Sequence, residues 1–442
     1  MLTDARGIAI TICAQSTVEL LETATHAFLA QRADTRTWLQ RVLDADPGLV
    51  LGHVLDGFYH LLAARRPAVA AAREAHARAV ASIAARGGTA RERQMADALS
   101  AWAWQGEMTQ SADLLDKLAV FCGLDVLALR LGHAVRFMLG DAPGMRRTLE
   151  MALPSWSDDT PLHAFVLGCH AFALGETGEV SRAEAVGRKA VALCPDDLWG
   201  GHAVAHVLAG QRRPREAVAW IAWMEPHMAA GGAFARHLHW HRALGHLALG
   251  DSASAMEVYR TLLRPGGLAE VRDMLNAASL LWRLQDAGLP VTSTMWDELA
   301  DIAETRIGEH TWVFADLHYA LCLAGAGRME ALARLLATMR HHATTAQGSQ
   351  ARVAAEVGLP VAHAIAGMAG GSSARAAELL RAASPDLAKL GGSTVQRAVL
   401  HRMRATAEAA AGFETTRDTN HAGTGHAGTG HAETGAPAHA GT

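Results

Sequence analysis

Lysine is almost missing from this sequence. Of 40 lysines and arginines only three are lysines, Lys117, Lys189 and Lys389. None stands in a recognisable catalytic motif, so Schiff-base chemistry has no support. Cysteine is scarce too. Cys13, Cys122, Cys169, Cys194 and Cys322 are scattered without a CxxC pair. An odd, dispersed set fits reduced thiols in a cytosol and excludes a disulfide framework, so a cytoplasmic location is expected. No apolar run reaches the roughly 18 residues that a membrane helix needs. The stretch Gly7-Ile-Ala-Ile-Thr-Ile-Cys13 has neither a basic region before it nor a long apolar core, so it does not read as a signal peptide. The formal charge is −4, with no basic stripe, which removes the electrostatic case for nucleic acid. There is no glycine-rich phosphate loop, no G-x-S-x-G elbow and no dinucleotide fingerprint. Strict period-2 alternation long enough for a strand is also missing.

What is present is alanine, leucine and arginine. Half of the 442 residues are hydrophobic, yet only 5% are aromatic. Ala and Leu with few β-branched runs favour helix, because they lose little side-chain entropy there. Arginine over lysine, with abundant Ala and Gly, suggests a bacterial source.

The chain also repeats. Gly168-Cys-His-Ala-Phe-Ala-Leu-Gly-Glu-Thr-Gly178 leads into Ala183. Ala205-His-Val-Leu-Ala-Gly leads into Ala217, and Gly245-His-Leu-Ala-Leu-Gly250 into Ala255. Each is an apolar helix, a turn, and a second helix whose early small residue lets the pair pack closely. That early position recurs at Ala70, Ser111, Met145, Ala183, Ala217, Ala255, Ser293, Ala331 and Ala376, at spacings of 34 to 45. Tetratricopeptide repeats have a period of about 34. The sequence therefore predicts an all-α, right-handed α-α superhelix of about nine helix-turn-helix units over residues 1–411. The helix Ser16 to Gln31 is expected to cap it. Pro195 and Pro226 end second helices, and Asp196 or Asp197 can cap the next one. The C-terminal repeat is expected to curl back over the groove, because Gly391-Gly392 permits a tight turn. From 412 to 442 the sequence turns to His-Ala-Gly-Thr-Gly pentads, which read as a disordered tail.

In such a stack the first helix of each pair lines the inside. Polar residues fall there at similar offsets: His53 and Asp56, His170, His202, His239 and His241, Asn276 and Ser279, Asp316 and His318, and His363. The densest stretch is Trp199-Gly-Gly-His202-Ala-Val-Ala-His206. His202 and His206 are four apart and share a helix face, a spacing that suits two ligands on one ion such as zinc. Ala203 stands where a zinc protease would carry Glu. In Arg236-His237-Leu-His239-Trp240-His241, alternate residues point to different faces. One of His239 or His241 is expected inside, and the others capping or in solvent. Asp316 and His318 are candidates for acid/base work, each with a partner on another helix. Arg283 is a candidate clamp for an anionic group.

The motifs Trp199-x-x-His202-Ala-Val-Ala-His206, Leu238-x-Trp240-His241, Ala277-Ala278-Ser279-Leu280-Leu281-Trp282-Arg283 and Gly391-Gly392-Ser393-x-x-Gln396-Arg397 resemble those of the tetratricopeptide repeat protein 38 family. The resemblance covers roughly residues 5 to 410. It departs at Thr394 and Ala398, where the family pattern has His and Asp. It implies the same architecture and the same His, Trp and Arg positions, and it names no substrate.

Two functions follow. The first is an interaction module that takes a peptide, a protein or a small ligand in a polar groove, with no cofactor. It predicts an open groove and no converging titratable cluster. The second is an enzyme acting on a small anionic substrate. There His202, His206, Asp316 and His318 serve as acid/base or metal groups, and Trp199, His239, His241, Asn276, Ser279 and Arg283 line the site. It predicts a closed interior where these side chains converge. The sequence leaves the oligomeric state open.

Overall fold

The computed structural model describes residues 2–12 and 14–412. Cys13 and the 413–442 tail lie outside the described residues. Apart from a two-residue antiparallel ladder, Leu2–Thr3 with Ala9–Ile10, the described chain is helix and turn. The ladder is too short to show alternation in sequence.

Among the described residues, ten helix pairs and a last helix, Thr394–Ala410, succeed one another. Nine pairs carry the nine anchor positions on their second helices. The tenth is N-terminal: the expected capping helix is Gln15–Leu29, and it has its own partner in Thr35–Ala45. The whole is an all-α superhelix of repeats. None of its helices is long and apolar enough to cross a membrane, among the described residues.

The two layers differ in burial. The outer helix Val180–Leu193 buries only Ala183, Gly187, Ala190 and Val191, a narrow small-residue stripe. A Cβ on Gly187 would lie 2.8 Å from Val204 Cγ2, so the pair can close only because that side chain is absent. The inner helix Leu198–Gly210 is buried at every position from 198 to 208. Inner helices pack on their outer partners and on the inner helices before and after them. Asp197 starts this helix, its side chain accepting from the Gly200 amide at 3.1 Å.

The coil also closes on itself. Ala33 N–H donates to Ala230 O at 2.8 Å. Arg65 pairs with Glu309, 244 positions away, at 2.8 Å. Ser349 N–H donates to Gly106 O at 3.0 Å. The expected turn at Gly391-Gly392 is there, with φ of +82° and +70°. It docks on the end of Val126–Leu139, where Gly392 N–H donates to Phe137 O at 3.2 Å. From that turn Thr394–Ala410 runs back against Leu198–Gly210 and Val271–Asp286. The inner face at this height is therefore covered rather than open as a groove.

The cysteines Cys122, Cys169, Cys194 and Cys322 are free thiols, two of them buried.

Candidate functional site

Four imidazoles meet under the closing helix. His202 and His206 come from Leu198–Gly210, and His237 and His241 from the next inner helix, Gly232–Ala248. Each pair is spaced i, i+4 and so occupies one helical face. The second pair lies 35 residues after the first, about one repeat, which brings the two faces together. All four are buried, at 1, 7, 4 and 3% exposure. One nitrogen from each lies within 4.8 Å of the others. His202 Nε2 is 2.9 Å from His206 Nε2 and 3.0 Å from His237 Nε2. The His241 ring lies 4.6 to 4.9 Å, centre to centre, from the other three.

Proton counting shows what this geometry lacks. A ring nitrogen either donates one hydrogen or offers one lone pair. Three Nε2 atoms around one point cannot all be satisfied by ordinary two-centre bonds. His202 Nδ1 and His241 Nε2 have no hydrogen-bond partner at all. Three of the four rings also resist charge. Burial, then the neighbouring imidazoles, hold His202 and His241 well below the usual histidine range. Burial pulls His237 down to about 3, against the bond from Asn276. Neutral imidazoles with inward lone pairs are the ligand form for a transition metal.

Polar groups stand behind two of the rings. His237 Nδ1 is 2.9 Å from Asn276 Oδ1. His206 Nδ1 is 3.3 Å from Glu176 Oε1, a buried carboxylate at the end of the inner helix His163–Glu176. Burial works to raise Glu176, but His206 and Thr394 outweigh it and hold its carboxyl below the usual range. Thr394 donates to Glu176 through Oγ1 at 2.8 Å and through its backbone N–H at 2.9 Å. The first turn of the closing helix is thus tied to the back of the histidine cluster.

The remaining expected residues divide. Trp199 is central: its ring lies 5.1 Å from His202, 4.8 Å from Phe172 and 5.4 Å from Phe234. His241 and Asn276 belong to the cluster. His239 faces the other way, 3.9 Å from Glu225 on the outer layer. Asp316 and His318 do not join the four rings. Asp316 Oδ2 is 3.2 Å from His310 Nδ1, and His318 Nδ1 donates to Phe314 O at 2.8 Å. Arg283 Nη1 donates to Ser279 Oγ and to Ser279 O, and Nη2 to Val395 O at 3.1 Å. It straps the closing helix to Val271–Asp286 with three of its five N–H groups. The belt of matching heights resolves into local pairs elsewhere. His53 Nε2 is 2.7 Å from Pro47 O, His170 lies 3.8 Å from Glu150, and His363 lies 3.2 Å from Arg340.

His237 and Glu176 were not expected. A signal for His237 existed: His237-x-x-x-His241 copies His202-x-x-x-His206 one repeat later. It was masked by His239, which breaks the run into alternate positions. Glu176 has no local motif, and its role depends on the closing helix.

No family model matches the chain. Among solved structures, a tetratricopeptide repeat protein from Parabacteroides merdae aligns at 16% identity over 62% of this chain and 97% of its own, with a TM-score of 0.32. A Naa15/Naa10 complex bound to HypK-THB aligns at 12% identity over 92% and 69%, with a TM-score of 0.25. The P58(IPK) TPR domain aligns at 14% over 73% and 98%, with a TM-score of 0.20. These are distant likenesses in repeat architecture and carry no detail of function.

Proposed function

We propose that this protein is a closed helical-repeat scaffold that holds one divalent transition-metal ion, zinc foremost, on His202, His206, His237 and His241, and binds a small ligand beside it. The observation that carries the reading is the convergence of four buried imidazoles, one nitrogen from each, with no carboxylate among them. Tetrahedral zinc with bonds of about 2.0–2.1 Å spaces its ligand nitrogens about 3.4 Å apart. Small ring rotations from the present 2.9 and 3.0 Å separations reach that spacing. Asn276 and Glu176 supply the outer contacts that orient metal-binding imidazoles. Three Nε2 atoms already point together, so His241 or a ligand atom can take the fourth place. A site with an exchangeable place supports chemistry as well as binding.

The likeness to the tetratricopeptide repeat protein 38 family belongs to the same proposal. Its motifs at 199–206, 238–241 and 391–397 are the segments that build and cover this cluster.

The test is metal content. Protein purified without chelator is expected to carry about one ion per chain, or to take up one equivalent of Zn²⁺ after EDTA treatment. Co²⁺ substitution should give the intense visible bands of a four-coordinate site. Purified wild-type protein that holds no stoichiometric metal and whose Tm is unmoved by Zn²⁺ defeats the reading.

The interaction-module reading falls instead to exposed apolar side chains. Phe121 on Met108–Cys122 is 89% exposed and Trp223 on Pro214–Met224 is 53% exposed. A protein partner that co-purifies with His202→Ala, and is lost from the Phe121→Ser, Trp223→Ser variant, would establish it. Retention by both variants would remove those side chains from consideration.

A further inference from the structure

Trp199 has a second polar neighbourhood. Arg130 and His133 stand one turn apart on the inner helix Val126–Leu139. Both contact the same indole. The Arg130 guanidinium lies 4.6 Å from the Trp199 ring centre, and the His133 ring 5.6 Å from it. Both are buried, at 6 and 3% exposure. Yet Arg130 Nε and Nη1, both ring nitrogens of His133, and Trp199 Nε1 have no hydrogen-bond partner. A buried polar group left without a hydrogen bond costs stability. Five such atoms gather at one indole, and buried polar groups in folded proteins find partners.

The stack continues. Trp199 lies on Phe234, and the Arg272 guanidinium sits 5.1 Å from the Phe234 ring centre. Arg272 has no ion pair or hydrogen bond among the described residues. Glu270 and Asp273 both act on Arg272 at range, without an ion pair to it. Asp273 is held by Arg236 at 2.6 and 2.9 Å, and Glu270 is exposed. Asp197 acts on Arg130 only at range, and burial pushes it up to about 7. Burial lowers both arginines, and Arg130 adds to the lowering at Arg272. Two guanidiniums therefore share one aromatic stack without a committed counter-charge.

We infer that Arg130, His133 and Arg272, walled by Trp199 and Phe234, form a binding site for a small oxyanion, the carboxylate or phosphate group of a ligand. Arg130 still has its Nε–H and an Nη1 donor free, which suits the fork geometry that recognises two oxygens at once. Neutral His133 and the indole N–H add donors of fixed direction, and Arg272 adds charge from across the phenyl ring. Arg283, the arginine that the sequence offers for this task, turns three of its five N–H groups to Ser279 and Val395. The site adjoins the histidine cluster, since Arg272 acts electrostatically on His202 and His237. It stands on its own unpaired donors and goes beyond the metal reading.

The full chain, stripped of metal with EDTA, is titrated with inorganic phosphate and, separately, with acetate. Ionic strength is held constant with sodium chloride. Thermal unfolding and tryptophan fluorescence are followed together. A saturable rise in Tm with a matching fluorescence change is expected for at least one anion, and the tighter arm names phosphate or carboxylate. Arg130→Gln and Arg272→Gln are each expected to weaken that anion about tenfold or more. Should Arg130→Gln fail to fold, Arg272→Gln carries the test, because its side chain is only partly buried. No saturable response in wild type overturns the proposal, as does wild-type affinity in Arg272→Gln. His202→Ala separates the two readings. It is expected to lose metal and keep the anion response, whereas metal bound normally with no anion response defeats this site alone.

Discussion

Two groups of buried histidine sit in the same coil, and they are satisfied in opposite ways. Around Asp316 each ring has a local acceptor: His310 faces the carboxylate at 3.2 Å, and His318 gives its Nδ1 hydrogen to the Phe314 carbonyl at 2.8 Å. Around His202 the rings face one another, and the one nearby carboxylate, Glu176, stands behind His206 rather than among the four. Pairing with carboxylates or carbonyls is what a fold does to bury histidine at low cost. Four imidazoles aimed at one point do not lower that cost, unless something with empty orbitals takes their lone pairs.

The largest effect tests that difference directly. His202→Ala is expected to remove stoichiometric zinc altogether, while His318→Ala and Asp316→Asn keep about one ion per chain, read by elemental analysis of purified protein. The reverse pattern would invert the comparison. Glu176→Gln comes next. It leaves all four ligands in place but removes the charge that orients His206. Loss of such an outer partner costs about 10- to 100-fold in metal affinity. Competition against a fluorescent chelator measures it, and an unchanged Kd would make Glu176 a packing residue only.

The second group yields a pH effect instead. Burial pulls His318 from 6.5 to about 4. Between those values the unfolded chain binds a proton that the fold refuses, so stability falls as pH drops through this window. At pH 5 the loss from one such histidine is about 2 kcal/mol. Asp197, raised from 3.8 to about 7, has the opposite sign and loses its contribution as pH rises. The difference between wild type and His318→Asn isolates the histidine. Urea unfolding at pH 7.5 and pH 5 should show a smaller drop for the variant, and parallel drops would remove His318 as the cause.

The contrast also shows what sequence can carry. The repeat is legible because most second helices carry a small buried residue early, as at Ser111, Ala183, Ala217, Ala255, Ala331 and Ala376, although Met145 is larger and Ala70 and Ser293 are exposed. His202 and His206 were legible because i, i+4 is a local rule. His241 and Asn276 were within reach because inner positions recur with the repeat. His237 was hidden by its neighbour His239, which points outward to Glu225. Asp316 and His318 were over-read, since similar offsets on inner helices do not bring side chains together once the coil winds. Glu176, Arg130 and Arg272 carry no local pattern. Their meaning comes from contacts across 218 positions in the case of Thr394 and Glu176, and from an aromatic stack assembled from separate inner helices.

The smallest effect lies at Thr394. Thr394 holds Glu176 through two bonds, one from Oγ1 and one from the backbone. Thr394→Ala removes the first and leaves the second, so Glu176 should stay near His206 with less restraint. One hydrogen bond at a partly exposed edge contributes about 0.5–1.5 kcal/mol, and only part of that reaches the metal. Zinc affinity is therefore expected to fall about two- to fivefold, well short of the Glu176→Gln loss. The double variant makes the argument sharp. If Thr394 acts on the metal through Glu176, then Thr394→Ala adds nothing once Glu176 is Gln, whereas independent effects would multiply.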